Sequence, residues 1–422
     1  MLCYTRFWSR VAHNCLNFAL VLLIVRESDR ALLSSLLVLA LVIPSTVAGI
    51  AAGAAADAFP RRPIIFLGDA ARAAICVWFV RGSGGIETYF IVAVAVSTLT
   101  QFAATAEGTL VPAIVPRAGL ARANAIGQAV GGAAQVLGLG VLTPLLLRVF
   151  ETPDILFGLC AAMFAFAAFQ ALLIGRVHHA ERSEVGGDAP AATGGAWWKA
   201  GWRAMHRDPM VLHAAIELTV ISAAMIVIAG LIPGYLSRVL GLPVDAGALV
   251  LMPAVFGIAF GLRIAGFLSH RLPHSVLSSA GFALFVPLLA LITFVNTEAE
   301  FLAGYGMFAW LDSIDIGGFD GGGVLAALIT FPLGFAYATV SVAAQTVIND
   351  RVPLQLQGRV NSTQAALSAL VSALPVLAAG LLSDHIGVTP VMALVSAAIA
   401  IAAILNFRPA RRPAPRAAGA VP

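Results

Sequence analysis

Four ionisable side chains interrupt long apolar stretches of the sequence, and their types suit chemistry inside a membrane. Glu217 follows His213 by four positions, so both side chains lie on one face of a helix. Glu107 and His13 lie in two other apolar stretches. Charged groups are costly in hydrocarbon, so such residues usually face a cavity or a partner. A carboxyl group held there can take up and release a proton, and Glu217 is the strongest candidate for that role.

Each of these residues also has a purely structural interpretation. Glu217 and His213 would then form a polar pair at a helix interface. Glu107 lies near the end of its stretch, where a long side chain can reach the headgroup layer without any function. His13 would be a hydrogen-bonded histidine between helices.

Neutral polar side chains in the same stretches could orient a substrate. Alone, each is more often a hydrogen bond between membrane helices than a ligand contact. They are Asn14, Asn17, Gln101, Thr105, Tyr337 and Gln345.

Further charged residues lie where apolar stretches begin or end. Asp57 ends the second stretch, Arg61 and Arg62 follow it, and Arg359 begins the eleventh. A helix N-terminus presents free N–H groups and partial positive charge. Asp57 could therefore bind the helix start that carries Arg359 and hold an inner gate shut; a loop acid that aids topology and capping is the alternative. Arg61 and Arg62 lie beside this gate, where binding to lipid phosphates explains them best.

Other functional classes lack the residues that they need. No Gly-rich phosphate loop indicates an ATP-driven pump, and no Ser/His/Asp or paired-carboxylate arrangement indicates an enzyme. The four cysteines have no metal-ligand spacing and are expected to be apolar packing residues. We expect neither a cofactor nor a metal.

The elements that carry these residues are predicted to be membrane helices. Of 422 residues, 60% are hydrophobic and only 11% charged, with a mean hydropathy of +0.93. Soluble proteins carry about a quarter charged residues, so the bilayer must be the solvent. Most of the apolar stretches have about 20 residues or more, enough to cross the hydrocarbon. Twelve spans are predicted, at 5–25, 31–56, 63–81, 87–110, 122–148, 154–176, 211–237, 246–268, 275–295, 324–347, 359–382 and 388–407.

The distribution of basic residues predicts the orientation. With the N-terminus inside, only five of the 25 Lys and Arg residues lie outside, namely Arg26, Arg30, Arg81, Arg148 and Arg238. Excess positive charge marks cytoplasmic loops. We expect both termini in the cytoplasm of a bacterium and the chain in its cytoplasmic (inner) membrane.

The longest inner connection divides the chain into halves. The predicted units are a six-helix bundle over 1–176, a linker over 177–210, a second bundle over 211–407 and a cytoplasmic tail over 408–422. The linker ends with Trp interleaved with Lys and Arg, which predicts a helix in the headgroup layer. Nucleic-acid binding is rejected, because this segment is short and flanked by membrane spans.

A repeated segment relates the two halves. Val115-Pro116 is followed by Arg122 and Asn124, and Val352-Pro353 by Arg359 and Asn361 at the same spacing. Because each half holds six spans, the repeats are parallel, as in some transporters.

Gly53-Ala54-Ala55-Ala56-Asp57-Ala58-Phe59-Pro60-Arg61-Arg62 resembles the signature loop of the major facilitator superfamily, Gly-x-x-x-Asp-x-x-x-Arg-Arg/Lys. Within it, the two Val-Pro segments resemble the macrolide-efflux and enterobactin-exporter-like group. The resemblance implies an all-α fold of two six-helix bundles, in which the first, fourth, seventh and tenth spans line a central cavity.

That cavity would contain few charges, which suits an amphipathic or lipophilic molecule better than a sugar or inorganic anion. The resemblance favours export by a monomeric antiporter that is driven by protons and surrounded by membrane lipids. A lipid or lysophospholipid transporter, an importer, and a sensor or scaffold without transport are the alternatives.

The chain departs from the family pattern in places. His270 stands where the second half would match Asp57, so Arg122 has no acid to meet and only one gate is expected. Position 107 is Glu, and the Arg-x-x-Gln-Gly pattern of many drug–proton antiporters is absent. Proton coupling therefore cannot be transferred from the family residue by residue.

Overall fold

The computed structural model describes residues 2–28, 30–81, 85–115, 120–143, 145–146, 153–173, 196–242, 244–269, 271–298 and 321–406. The described chain is almost entirely helical. Its helices are α1 (Leu2–Glu27), α2 (Ala31–Ala58), α3 (Arg61–Arg81), α4 (Ile86–Ile114), α5 (Leu120–Gln135, continued by a π-helix over Val136–Leu142), α6 (Pro153–Leu173), α7 (Ala196–Arg207), α8 (Pro209–Arg238), α9 (Val244–Leu268), α10 (His274–Thr293), α11 (Gly321–Arg351), α12 (Leu354–Ile386) and α13 (Val388–Asn406).

Eleven of the described helices are long and apolar enough to cross a membrane. The predicted fifth span is not among them, because the α-helical part of α5 has 16 residues before the π-helix begins. Several helices run beyond their predicted spans; α12 begins at Leu354, before Arg359. Helical hydrogen bonding continues where the sequence turns polar, so hydropathy alone underestimates helix length.

The predicted helix at the end of the linker is α7. The rest of the linker, 177–195, and the tail, 408–422, lie outside the described residues.

The helices form two bundles, α1–α6 and α8–α13. The first core contains buried side chains such as Leu16 of α1, Cys76 of α3 and Phe157 of α6. The second core draws its buried residues almost wholly from α8 to α13. Contacts between bundles run from α2 to α8 and α12, and from the π-helical part of α5 to α9. The fold is thus an all-α membrane protein of two six-helix bundles.

Consecutive spans are antiparallel, so the molecule has two ends. We call them the α1–α2 end, which also holds the α8–α9 and α12–α13 connections, and the α2–α3 end, which also holds the α11–α12 connection and α7.

Candidate substrate and proton sites

A buried ion pair lies between α1, α3 and α4 in the first bundle. The Arg72 guanidinium is about 1% exposed and pairs with Asp69 one turn earlier on α3. It also donates hydrogen bonds to Ser9 on α1 and Thr100 on α4, each at 3.1 Å, and to the Gly68 carbonyl. Ser9 donates to the same Asp69 oxygen at 2.9 Å. Three helices are therefore joined through one guanidinium group.

His13 extends this network along α1. Its Nδ1 lies 3.3 Å from Thr100 Oγ1, and its Nε2 lies 3.1 Å from Asn17 Nδ2. These hydrogen bonds connect two of the residues predicted from the sequence, His13 and Asn17, to the network around Arg72.

Glu107 lies beside the same cluster and is only 3% exposed. Its Oε2 is 4.0 Å from Arg6 Nε, while its Oε1 has no hydrogen-bond partner among the described residues. Together with Arg10, His13 and Arg72, Glu107 lines a small pocket. A snorkelling Glu would extend towards water, whereas this carboxylate is enclosed next to arginines.

Four charged residues of this region were not predicted from the sequence, namely Asp69, Arg72, Arg6 and Arg10. The signal for the first two was present, because Asp69 and Arg72 are three residues apart in an apolar span, on one helix face. The expectation of few charges does not hold where α1 meets α3 and α4, since Arg6, Arg10, Arg72 and Glu107 lie together there.

Glu217 and His213 meet on α8, in the second bundle. Glu217 Oε1 lies 3.5 Å from His213 Nε2, and the Glu217 side chain is 6% exposed against 37% for His213. The second carboxylate oxygen has no hydrogen-bond partner among the described residues. A buried carboxyl group with one vacant oxygen and a more exposed imidazole beside it is suited to holding a proton.

The second bundle also contains a cavity with mainly apolar walls. It lies between α8, α9, α10, α11 and α13. The hydroxyls of Tyr235 and Thr330 donate to the Ile292 and Val250 carbonyls, so neither is left unpaired. Its walls are otherwise apolar; among them are Met225, Ile228, Leu231, Leu289, Leu333 and Met392.

The remaining predicted cavity residues lie elsewhere. Gln101 of α4 faces Gly49 of α2, and Asn14 packs against Gly138 of α5. Tyr337 packs against the core of the second bundle. Gln345 of α11 donates to Asn361 of α12 at 3.1 Å, which gives the repeated Asn a helix-bridging contact.

Only part of the predicted inner gate lies among the described residues. Asp57 lies in the last turn of α2, but its side chain lies outside the described residues, as do those of Arg122 and His270. Arg359 lies in the second turn of α12 and not at its start. Arg62 donates to the Leu172 carbonyl at the C-terminus of α6, a protein contact where a lipid phosphate was expected.

At the opposite, α1–α2 end, hydrogen bonds join the two bundles. Asp384 of α12 accepts hydrogen bonds from the first backbone amides of α2, Ala31 N at 2.8 Å and Leu32 N at 3.1 Å. Arg238 of α8 pairs with the same carboxylate at 3.2 Å. Nearby, a Cβ added at Gly380 would lie 2.6 Å from Ser35 Oγ. We call this group of contacts the α2 seal.

Comparison with known proteins gives the following matches. The profile described as Major Facilitator Superfamily matches residues 2–330. Among curated proteins, none matches the chain in sequence. A bacterial homologue of the human lysosomal transporter Spinster has a TM-score of 0.71 and 15% identity, covering 96% of this chain and 95% of that one.

Two other solved structures are similar. For the nucleoside transporter NupG the TM-score is 0.67 and the identity 13%, over 96% of this chain and 97% of that one. For an auto-inhibited peptide transporter of the POT family they are 0.68 and 15%, over 98% of each chain. At these identities the likeness establishes the fold alone.

Proposed function

The chain belongs to the Major Facilitator Superfamily and is a secondary transporter, and we propose that it exports small amphipathic or lipophilic molecules in exchange for protons. The observation that carries the proposal is the cavity in the second bundle, whose walls are almost wholly apolar. Binding sites for small molecules are concave and are lined mainly by apolar side chains. A sugar would leave its hydroxyls unpaired against such walls.

Glu217 is the proposed proton carrier. Its enclosure supports this role, and His213 offers a more exposed neighbour through which a proton can pass. Export follows if the basic α2–α3 end faces the cytoplasm, as the positive-inside rule favours. We place the protein in a bacterial inner membrane with both termini inside.

The experiment uses the purified protein in proteoliposomes with a pH gradient. We expect a pH-sensitive dye to record proton release when a neutral amphipathic compound such as phenylbutyramide is added. Glu217→Gln keeps the shape of the side chain and should reduce this coupled signal at least tenfold. His213→Gln should reduce it less, because the carboxyl group remains. Coupled proton movement at the wild-type rate in Glu217→Gln would exclude Glu217 as carrier.

We also retain Asp57 and Arg359 as an inner gate that closes the α2–α3 end when the α2 seal opens. The position of Asp57 in the last turn of α2 supports this. Asp57→Asn should lower transport several-fold with unchanged membrane insertion, measured as initial uptake per inserted molecule. Unchanged transport would leave Asp57 with a role in topology alone.

A further inference from the structure

The Asp69–Arg72 pair neutralises itself. Every side of the guanidinium is occupied: Nε by the Gly68 carbonyl, one terminal nitrogen by Thr100, and the other by Ser9 and Asp69. One positive and one negative charge cancel, so this pair has no charge left for a ligand.

The charges that remain beside the pocket do not cancel. Arg6 and Arg10 lie four positions apart on α1, hence on one helix face. Among the described residues, Glu107 is the acid that interacts electrostatically with both. Arg6 Nε lies 4.0 Å from Glu107 and makes no hydrogen bond to a described residue. With both arginines and the carboxylate ionised, one positive charge is left over.

An uncompensated charge in a largely enclosed site is unfavourable unless an opposite charge joins it. An anion removes the excess, whereas an ammonium group would double it. The planar guanidinium presents paired N–H donors that match the oxygens of a carboxylate or phosphate. Arg10, Ser9 and Thr100 line the same pocket, so their side chains could contact one bound group.

We propose that the pocket between α1, α3 and α4 binds the anionic oxyacid head group of the transported molecule, with Arg10 as its principal donor and Arg6 beside it. This rests on the proposed function and narrows its substrates from amphipathic molecules in general to amphipathic acids. Ser9 and Thr100, which also line the pocket, complete its polar wall.

The experiment compares two probes of nearly equal size, phenylbutyrate and its neutral analogue phenylbutyramide. Equilibrium binding is measured with radiolabelled probes on the protein in lipid nanodiscs. We expect wild type to bind the acid at least tenfold more tightly than the amide, as a charge-assisted hydrogen bond allows. Arg10→Gln should reduce the ratio to within about twofold.

Three further variants test whether loss of preference for the acid reflects the pocket itself or misfolding. Arg10→Lys keeps the charge and should keep part of the preference. Arg263→Gln removes an exposed arginine of α9, in the other bundle, and should change nothing. Gly127→Ala acts indirectly, because its Cβ would lie 2.9 Å from Arg6 Nη1 and must displace that side chain; we expect an intermediate ratio.

Equal binding of the two probes to wild type would overturn the proposal, as would an undiminished preference for the acid in Arg10→Gln or no binding of phenylbutyrate at millimolar concentration. Proton-driven movement of phenylbutyramide, measured separately, distinguishes this failure from failure of the proposed function. If the amide moves without acid preference, only the head-group site fails. If the acid binds through Arg10 but no probe moves with protons, the proposed exchange fails and the site remains.

Discussion

A guanidinium group buried in a membrane protein costs several kcal/mol of desolvation unless its partners replace water. Arg72 meets this requirement with contacts from three helices and with the face of Phe164, whose ring centre lies 4.6 Å away. The Asp69 oxygen that pairs with Arg72 also accepts a hydrogen bond from Ser9. The pair therefore fixes how α1, α3 and α4 approach one another, next to the proposed head-group pocket.

We predict that Asp69→Asn lowers the stability of the first bundle by about 3–5 kcal/mol, because it leaves a buried arginine without its counter-ion. Replacing both partners, Asp69→Leu with Arg72→Met, should cost less than Asp69→Asn alone. Thermal unfolding in detergent can be followed with a thiol-reactive dye, since Cys15, Cys76 and Cys160 are buried and only Cys3 is exposed. An unchanged melting temperature for Asp69→Asn would show that the pair stabilises nothing.

Part of the site could be predicted from single residues. The four-residue spacing of His213 and Glu217 indicates their contact directly, because neighbours on a helix face are set by the chain itself. The placement of Arg6 beside Glu107 could not be predicted, since it depends on how α1 packs against α4. Spacing along one helix contains no information on that approach.

At the scale of elements, Asp208 joins α7 to α8. Its side chain caps α8 by accepting from Met210 N at 2.9 Å, and it pairs with Arg351 of α11 at the same distance. Partial burial alone would raise the pKa of Asp208, but the hydrogen bonds from Arg351 and from backbone amides outweigh it and lower that pKa. This carboxylate thus connects the end of the linker to both α8 and α11 of the second bundle.

We predict a pH-dependent effect at Asp208. A lowered pKa means that the ionised carboxylate stabilises the fold above the unfolded value of about 3.9, and that this contribution is lost as the pH falls through the lowered pKa. Asp208→Asn keeps a capping oxygen and should cost about 0.2–1 kcal/mol at pH 7, since the ion pair is partly exposed. Asp208→Ala should cost about 1 kcal/mol more.

Intrinsic tryptophan fluorescence on heating, recorded at neutral pH and at about pH 3.5, gives the comparison. The difference between wild type and Asp208→Asn should shrink at the lower pH. A difference of the same size at both values would assign the effect to the cap and not to the charge.

Helix positions were largely predictable, because the hydrocarbon thickness demands long apolar runs. The π-helical part of α5 was not. There the Gly138 carbonyl accepts from Thr143 Oγ1 at 2.6 Å and from Cys15 Sγ of α1 at 3.4 Å. A π-helix of this kind depends on a neighbouring helix as well as on local propensity.

At the scale of the whole molecule, the α2 seal closes the α1–α2 end between the bundles. The sequence pointed to charged residues at the opposite end, Asp57 and Arg359, and it does not indicate which end is closed. A transporter that alternates between two states needs contacts at both ends, each formed in one state. The described contacts therefore belong to the set that closes the α1–α2 end.

The last prediction tests whether the α2 seal must open during transport. A Cβ added at Gly230 of α8 would lie 3.5 Å from Ser35 Cβ of α2, a separation that a disulfide can bridge. Ser35 Oγ has no hydrogen-bond partner among the described residues, so Ser35→Cys removes no hydrogen bond to them. In a background without the four native cysteines, oxidising the Ser35→Cys, Gly230→Cys pair should abolish proton-driven transport in proteoliposomes. Reduction with dithiothreitol should restore it, and either single cysteine should be insensitive to oxidation. Full transport by the completely cross-linked protein would mean that α2 and α8 stay together throughout the cycle, and the proposed alternation at this end would be wrong.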